Sequence, residues 1–255
     1  MSEFDLKYEL LNLYKTNKYF ITRPLLKKPS FESAYHEVAV DPDGKIRHLM
    51  TNQERDNKLK NFSAEILYEL KANIKSGSIL DIGCGPGWLL SDLDNAKWDK
   101  FGLDVSIVAT NHAKKFGKIF NGTLENYNPK IKFDVVVMHH VIEHLEDPIK
   151  ALMKVHSLLK NKGVLIIGTP NFDSAAAWRY GNKFRLLHDE THISLFTEDS
   201  MHRFLRDHGF KIYKVERPFF DTDFFNKENI LKVLQKDIIS PPMYGSVMTF
   251  FAIKE

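Results

Sequence analysis

The stretch Ile79-Leu80-Asp81-Ile82-Gly83-Cys84-Gly85-Pro86-Gly87 runs from apolar residues straight into three glycines at alternate positions. Such a pattern is typical of a buried strand followed by a turn where the backbone approaches a ligand closely, because glycine has no Cβ. The spacing is G-x-G-x-G, whereas dinucleotide-binding loops have G-x-G-x-x-G, and their third glycine lets the helix pack closely on the strand. Trp88 stands at that third position. The sequence therefore argues against a nicotinamide-binding loop.

A second short strand is predicted over Lys100–Val105, and it ends in Asp104. This acid follows Asp81 by roughly the 20 residues that separate a glycine-rich turn from a ribose-binding carboxylate. A carboxylate can accept strong, charge-assisted hydrogen bonds from two sugar hydroxyls. We therefore predict a nucleoside ribose at Asp104, with the alternative that it only supports the start of the next helix at Ser106.

Further strands are predicted downstream, at Phe133–Met138 and Val164–Pro170. The first is a continuous apolar run of the kind found in central parallel strands. Between the two strands, Asp147 followed by Pro148 predicts the start of a helix. Strands that alternate with helices in this way predict an α/β fold with a doubly wound parallel sheet.

These motifs resemble those of the class I S-adenosylmethionine (SAM) methyltransferases, over residues 62–218. Glu143-His144-Leu145-Glu146-Asp147-Pro148 resembles a segment of the ubiquinone-type small-molecule O-methyltransferases. The resemblance implies a seven-stranded, mostly parallel sheet in the order 3-2-1-4-5-7-6 with an antiparallel seventh strand. Residues 210–215 and 246–253 are the expected sixth and seventh strands, after a helix that Thr197 begins.

The same resemblance implies SAM as the methyl donor and S-adenosylhomocysteine (SAH) as the product. SAM has no phosphate, so the glycines are expected to give its methionine and ribose close passage. Residues 121–126 fall where the family has its adenine-facing loop. The predicted cofactor-binding residues are Asp81, Gly83, Gly85, Gly87, Asp104, Val105, Leu124, Glu125 and His139.

The chain is expected to divide into a methyltransferase domain, residues 61–255, and an N-terminal extension, residues 1–60, that caps the acceptor site. Additions of this kind commonly lie over the acceptor because ligands bind at the carboxyl ends of the strands. Residues 218–245 are far more than a hairpin needs, so we interpret them as an insertion before the last strand.

Methyl transfer to a hydroxyl needs two reactants in line and a group that removes a proton. Histidine titrates near neutral pH, and His140 and His144 lie just beyond the fourth strand. We predict that one of these two is the catalytic base, with His192 as a second candidate. The alternative is that these rings only hydrogen-bond backbone carbonyls.

His140, Glu143 and His144 also match the H-x-x-E-H pattern of inverted zinc peptidases. The position of this match, at the end of a parallel strand, disfavours that function. Some ubiquinone-type relatives hold magnesium with acids in this segment, but they have Glu where this chain has His140. No metal is therefore expected.

The loop after the fifth strand interleaves aromatic and basic residues, which suits a polar or anionic small molecule stacked against rings. The predicted acceptor-binding residues are Arg179, Tyr180, Arg185 and His188. Together with residues 35–45, this loop resembles a methyltransferase subgroup associated with bacterial surface glycans. That likeness implies an oxygen of a sugar or phosphorylated glycan precursor as the methylated atom. An ordinary solvated loop is the alternative.

Bulk properties set further limits. The chain has 255 residues, a formal net charge of +3 and one cysteine, Cys84. A charge this small gives no reason to expect nucleic acid. With no apolar run near 20 residues and no internal disulfide, we expect a cytoplasmic protein without a membrane span. A non-catalytic SAM-binding regulator and an RNA-modifying methyltransferase remain the alternative functions.

Overall fold

A mixed sheet of seven strands crosses the centre of the computed structural model, which describes residues 15–23, 38–40 and 46–255. The strands in chain order are β1 (Lys15–Thr16), β2 (Ile21–Thr22), β3 (Val38–Val40), β4 (Ile46–His48), β5 (Gly77–Ile82), β6 (Trp98–Asp104), β7 (Lys118–Asn121), β8 (Phe133–His139), β9 (Leu159–Pro170), β10 (Ser194–Leu195), β11 (Phe210–Glu216) and β12 (Val247–Lys254). The large sheet has the order β7-β6-β5-β8-β9-β12-β11, and β12 is antiparallel to both neighbours. This is the predicted 3-2-1-4-5-7-6 order, which is confirmed.

Helices flank both faces of the sheet. They are α1 (Asn52–Asn61), α2 (Ala64–Tyr68, continued by a π-helical turn over Glu69–Ile74), α3 (Trp88–Ser91), α4 (Ile107–Ala113), α5 (Pro148–Leu158), α6 (Ala175–Tyr180), α7 (Glu198–Asp207) and α8 (Lys227–Lys232), with 3₁₀ turns at Ile142–His144, Gly181–Lys183 and Arg185–Leu187. Within the described ranges, none of these helices has the length and apolar character to cross a bilayer.

The predicted helix starts are confirmed. The Asp147 side chain accepts a hydrogen bond from the Lys150 amide at 2.9 Å, and Pro148 is the first residue of α5. Thr197 and Ser200 form a reciprocal capping box at α7. Each cap satisfies amide groups that the first helical turn leaves without a backbone partner.

Strand β8 is buried on both faces, as its continuous apolar run predicts. Val136 packs with the helices α5 and α7, whereas Val135 and Val137 pack on the opposite side against α2 and α3. Successive side chains of a strand point to opposite faces, so a strand between two helical layers needs an apolar residue at every position.

The described part of the N-terminal extension joins the core. Strand β2 pairs antiparallel with β10, and Phe20 is only 7% exposed. The Phe20 ring lies 5.1 Å from that of Phe196 and 6.3 Å from that of Phe204. Residues 15–23 therefore contribute to stability as well as lying near the site.

The predicted insertion, residues 218–245, contains α8 and contacts the loop after β9. Arg179 donates to the Val233 carbonyl oxygen at 2.9 Å, and the Tyr180 hydroxyl donates to the Lys232 carbonyl oxygen at 3.1 Å. Two of the side chains predicted to bind the acceptor thus hold the insertion in place.

We predict that Phe20→Ala lowers the free energy of unfolding by about 3 kcal/mol, because it leaves a cavity beside Phe196 and Phe204. Phe220→Ala, at a ring that is 58% exposed, is the matched control and should cost about 1 kcal/mol or less. Urea denaturation measures both. Equal effects would show that the N-terminal segment does not stabilise the core.

Candidate functional site

A cavity of about 780 Å³ opens at the carboxyl ends of β5 and β8. This is where ligands bind in open α/β sheets. Nine of the predicted site residues line it: Asp81, Gly83, Gly85, His139, His140, His144, Arg185, His188 and His192. The extension contributes Arg47, Leu49, Glu54 and Lys58.

The glycine loop after β5 has the backbone that its sequence predicts. Gly83, Gly85 and Gly87 have φ values of 71°, 52° and 82°, in the left-handed region that favours glycine. A Cβ on Gly83 would lie 2.3 Å from Cγ2 of Val141. Glycine is therefore required at position 83 for space as well as for conformation.

The amide groups of this loop are already hydrogen-bonded within the protein. Gly83 and Cys84 donate to the Leu103 carbonyl oxygen at 2.8 and 3.0 Å, and Gly85 donates to Oδ2 of Asp104 at 2.9 Å. The loop consequently offers open space to a ligand and few donors. This supports the prediction that the glycines give close passage and do not bind a phosphate.

Two buried acids stand beside the loop. Asp104 is 6% exposed, and its Oδ1 accepts the Ser106 amide at 2.8 Å. Asp81 is 5% exposed, and no hydrogen bond to its carboxylate is found in the described part of the chain. Burial, with repulsion from Asp104 as the second cause, raises the pKa of Asp81 to about 8. A cationic ligand beside Asp81 would relieve both effects.

The His139 ring, at the end of β8, packs against the backbone of β9. A Cβ on Gly168 would lie 2.0 Å from Cδ2 of His139, so the ring occupies the space that glycine leaves. Burial lowers the pKa of His139 well below its usual range, and charge on His140 and Lys58 adds to this. Its Nε2 atom is buried with no hydrogen-bond partner.

His140 forms a dyad with Glu143, a buried acid that the sequence singled out only through the H-x-x-E-H match and not as a catalytic residue. Its Nδ1 atom lies 3.0 Å from Oε1 of Glu143, and the Thr169 hydroxyl donates to Oε2 at 3.0 Å. Because an ionised carboxylate only accepts, the ring carries its proton on Nδ1 and leaves Nε2 as an acceptor. That Nε2 atom is buried without a partner, and the residue that carries it lines the cavity.

Glu143 stays ionised although it is fully buried. Burial alone would raise its pKa, but the hydrogen bond with His140 and the charges of His140, His144 and His192 lower the pKa to about 2. An acid of this kind can stabilise positive charge on the His140 ring.

The two other candidate bases use Nδ1 for backbone contacts. Nδ1 of His144 lies 3.0 Å from the Thr191 carbonyl oxygen, and Nδ1 of His192 lies 2.6 Å from that of Leu186. The sequence left open the alternative that these rings only hydrogen-bond backbone carbonyls. In His144 and His192 one nitrogen of each ring, Nδ1, makes such a contact. The Thr191 hydroxyl oxygen also lies 2.9 Å from Nδ1 of His144, and Nε2 of His192 lies 3.6 Å from Oδ2 of Asp189. His140 differs from both because a carboxylate oxygen lies within hydrogen-bond distance of its Nδ1 atom.

Glu143, His144 and His192 each present a ligand atom within 4.8 Å of the others. Imidazole with one carboxylate suits zinc or iron, whereas magnesium prefers oxygen ligands. The donor set thus fits a transition metal and does not fit the magnesium of ubiquinone-type relatives. The absence of a metal remains a prediction. The zinc-peptidase geometry is not found, because Ile142–His144 form a 3₁₀ turn and His140 precedes it at φ 56°.

Seven predicted residues lie outside the cavity wall. These are Gly87, Asp104, Val105, Leu124, Glu125, Arg179 and Tyr180. Arg179 and Tyr180 bind backbone carbonyls of the insertion, so we do not carry them into the proposed acceptor site. Asp104 lies next to the cavity, because it accepts the amide of Gly85, which lines the cavity.

The sequence analysis missed Lys58 and Phe62 in the cavity wall. Helix α1 has one apolar residue, Leu59, among ten. A helix on the N-terminal side of the core strands that has no apolar stripe is the signal in the sequence that could have pointed to α1.

We predict that the stability of the ligand-free protein falls as pH rises from about 4 to 8, by on the order of a few kcal/mol for Asp81. The folded state holds the Asp81 proton up to pH about 8, whereas the unfolded chain releases it near pH 4. Asp81→Asn should remove this part of the fall, as measured by urea denaturation across pH. Asp221→Asn, at an exposed acid, is the control. If the difference in unfolding free energy between wild type and Asp81→Asn did not change with pH, the raised pKa of Asp81 would be contradicted.

A family model described as a methyltransferase domain matches residues 52–215. The mitochondrial ubiquinone biosynthesis O-methyltransferase of Schizosaccharomyces pombe is 31% identical over 140 residues, 51% of this chain and 48% of that protein. An uncharacterized protein of Methanocaldococcus jannaschii is 31% identical over 175 residues, 66% of this chain and 72% of that protein.

Among solved structures, a SAM-dependent methyltransferase of Thermotoga maritima has a TM-score of 0.56 at 21% identity, covering 80% of this chain and 96% of that one. The match to the Schizosaccharomyces pombe enzyme spans about half of that enzyme's length. The family match covers most of the present sequence and includes every strand from β5 to β10. The chain belongs to the class I SAM-dependent methyltransferases.

Proposed function

We propose that this chain transfers the methyl group of SAM to an oxygen of a small polar acceptor. The observation that carries the proposal is one cavity lined by the glycine loop, Asp81 and His140, the last with a buried Nε2 atom that has no hydrogen-bond partner. One part of this cavity suits a cationic nucleoside, and the other offers a proton acceptor.

The cofactor end suits the charge and the hydroxyl groups of SAM. SAM carries a positive sulfonium and a positive α-ammonium group, and Asp81 is a buried carboxylate with no hydrogen bond of its own in the described chain. The Asp104 carboxylate accepts the Gly85 and Ser106 amides at 2.9 and 2.8 Å beside the glycine loop, and we propose that it also binds the ribose hydroxyls. We keep Val105, Leu124 and Glu125 as the proposed surroundings of the adenine.

The reaction follows from the His140–Glu143 dyad. The acceptor oxygen attacks the methyl carbon, the carbon–sulfur bond breaks with its electrons on sulfur, and the hydroxyl proton moves to Nε2 of His140. Glu143 holds the ring by its Nδ1 proton and offsets the charge that the ring gains. Most of the rate enhancement in such a displacement comes from positioning the two reactants.

An oxygen acceptor is supported by the ubiquinone-type relatives, which are named as O-methyltransferases. Within that class we propose a sugar or phosphorylated glycan precursor. Support comes from Arg185 and His188 in the cavity wall and from the likeness of residues 35–45 to a glycan-associated subgroup. Of those residues, 35–37 and 41–45 lie outside the described part of the chain.

A SAM-binding regulator remains the alternative from another class. Such a protein needs Asp81 and the glycine loop, but it has no use for an oriented base in the same cavity. The dyad therefore favours an enzyme.

The cofactor proposal predicts binding of SAM and SAH by calorimetry, and weaker binding by at least tenfold in Asp81→Asn, because the variant loses the charge that attracts the α-ammonium group. SAH formation with the small-molecule fraction of a cell extract tests turnover. Binding without SAH formation from any fraction would favour the regulator, and no binding would refute the proposed function.

The base proposal predicts that His140→Ala lowers kcat by roughly 100-fold or more with an unchanged Kd for SAH. Glu143→Gln should lower kcat by roughly tenfold or more and shift its pH profile, because the amide no longer fixes the Nδ1 proton. His48→Ala, at an exposed histidine of β4, is the control.

The same assay is repeated after exhaustive chelation. Activity that survives chelation confirms the prediction that no metal is required. Loss of activity that zinc restores would instead assign Glu143, His144 and His192 a metal. Full activity in His140→Ala would show that the base lies elsewhere.

A further inference from the structure

Lys58 is an ammonium group in the cavity wall that the proposed reaction does not use. It lies in the second half of α1, and its Nζ atom is 4.8 Å from the centre of the Phe62 ring. Among the described residues, Nζ makes neither a hydrogen bond nor an ion pair. Its contact with the ring is a cation–π interaction, which holds the group in place but leaves its donors unused.

The nearest acids do not neutralise this charge. Glu54, one turn earlier in α1, pairs with Arg47 at 2.6 Å. Glu143 already accepts hydrogen bonds from two side chains, and Asp81 lies beyond ion-pair distance. Burial lowers the pKa of Lys58. Lys58 is half-buried, so its ammonium has lost part of its water and gains from a ligand that supplies an acceptor.

The position of Lys58 relates it to the acceptor end of the cavity. The Phe62 ring that contacts its Nζ atom also packs edge-on against the His140 ring, with centroids 5.8 Å apart. Lys58 and the proposed base therefore contact the same aromatic side chain, and all three residues line the cavity.

We propose that Lys58 binds an anionic group, a carboxylate or a phosphate, that the acceptor carries near its methylated oxygen. This proposal rests on the proposed function and deepens it, because it names the charge of the substrate. A neutral analogue of the same shape would leave the ammonium unpaired, and such a mismatch discriminates more strongly than a missing methylene. Lys58 is thus a specificity-determining residue.

The test uses the full chain saturated with SAH and two probes, inorganic phosphate and sodium acetate. Histidine ring-proton shifts in NMR spectra report binding in wild type and variants alike. We expect saturable binding of at least one probe with a Kd on the order of 10 mM, weakened at least tenfold in Lys58→Met. The stronger probe distinguishes a phosphate from a carboxylate.

Lys60→Met is the matched control. Lys60 lies two residues along α1, and its ammonium pairs with Asp223 at the surface. This variant should bind the probes as wild type does. Lys58→Met should keep the wild-type Kd for SAH, which calorimetry measures independently.

Three results would overturn the proposal. The first is an absence of probe binding in wild type, and the second is equal probe binding in Lys58→Met. The third is a tenfold loss of SAH affinity in Lys58→Met, which would assign Lys58 to the cofactor's own carboxylate. The proposed function is tested separately, by the binding of SAH to wild type. A failure of the Lys58 proposal can therefore be distinguished from a failure of the proposed function.

Discussion

The buried carboxylate of Glu143 is the constraint on which the site depends. Its two oxygens join His140, just beyond β8, to Thr169 of β9. The backbone carbonyl oxygen of Glu143 accepts the Ile193 amide at 2.8 Å. Two parts of the chain thus contact the buried charge itself, and a third is bonded to the backbone of the residue that carries it. A buried charge that loses one partner is strongly destabilised, commonly by about 3–5 kcal/mol, so this acid can persist only if the whole set of contacts forms.

Local signals explain why much of the fold could be predicted. The run Phe133–Met138 is apolar at every position because helices cover both faces of β8. Asp147-Pro148 and Thr197 begin helices through contacts within one turn. The glycine spacing reflects a backbone conformation with positive φ, which is set within the loop itself. Each of these features depends on neighbours in sequence, and so the sequence displays it.

The candidate site depends on contacts that sequence does not display. The H-x-x-E-H spacing predicts a shared helix face for His140 and His144, but the positive φ of His140 breaks that relationship and directs its ring to Glu143. Arg179 and Tyr180 look like ligand-binding residues until the insertion is placed against them. Lys58 looks like part of a solvated helix. In each case the deciding partner lies in another element or beyond a bend of the backbone.

The distribution of charge in the cavity relates these parts to the proposed reaction. Methyl transfer removes a positive charge from sulfur, and proton transfer places one on His140, so a unit of charge moves from the side of Asp81 to the side of Glu143. Both acids are buried before the reaction begins, and preorganised groups of this kind need no rearrangement as the charge moves. The Lys58 ammonium and the His140 ring both contact the Phe62 ring. An anionic group on the acceptor that binds Lys58 would therefore also bring negative charge to the end of the cavity where the proposed reaction creates positive charge.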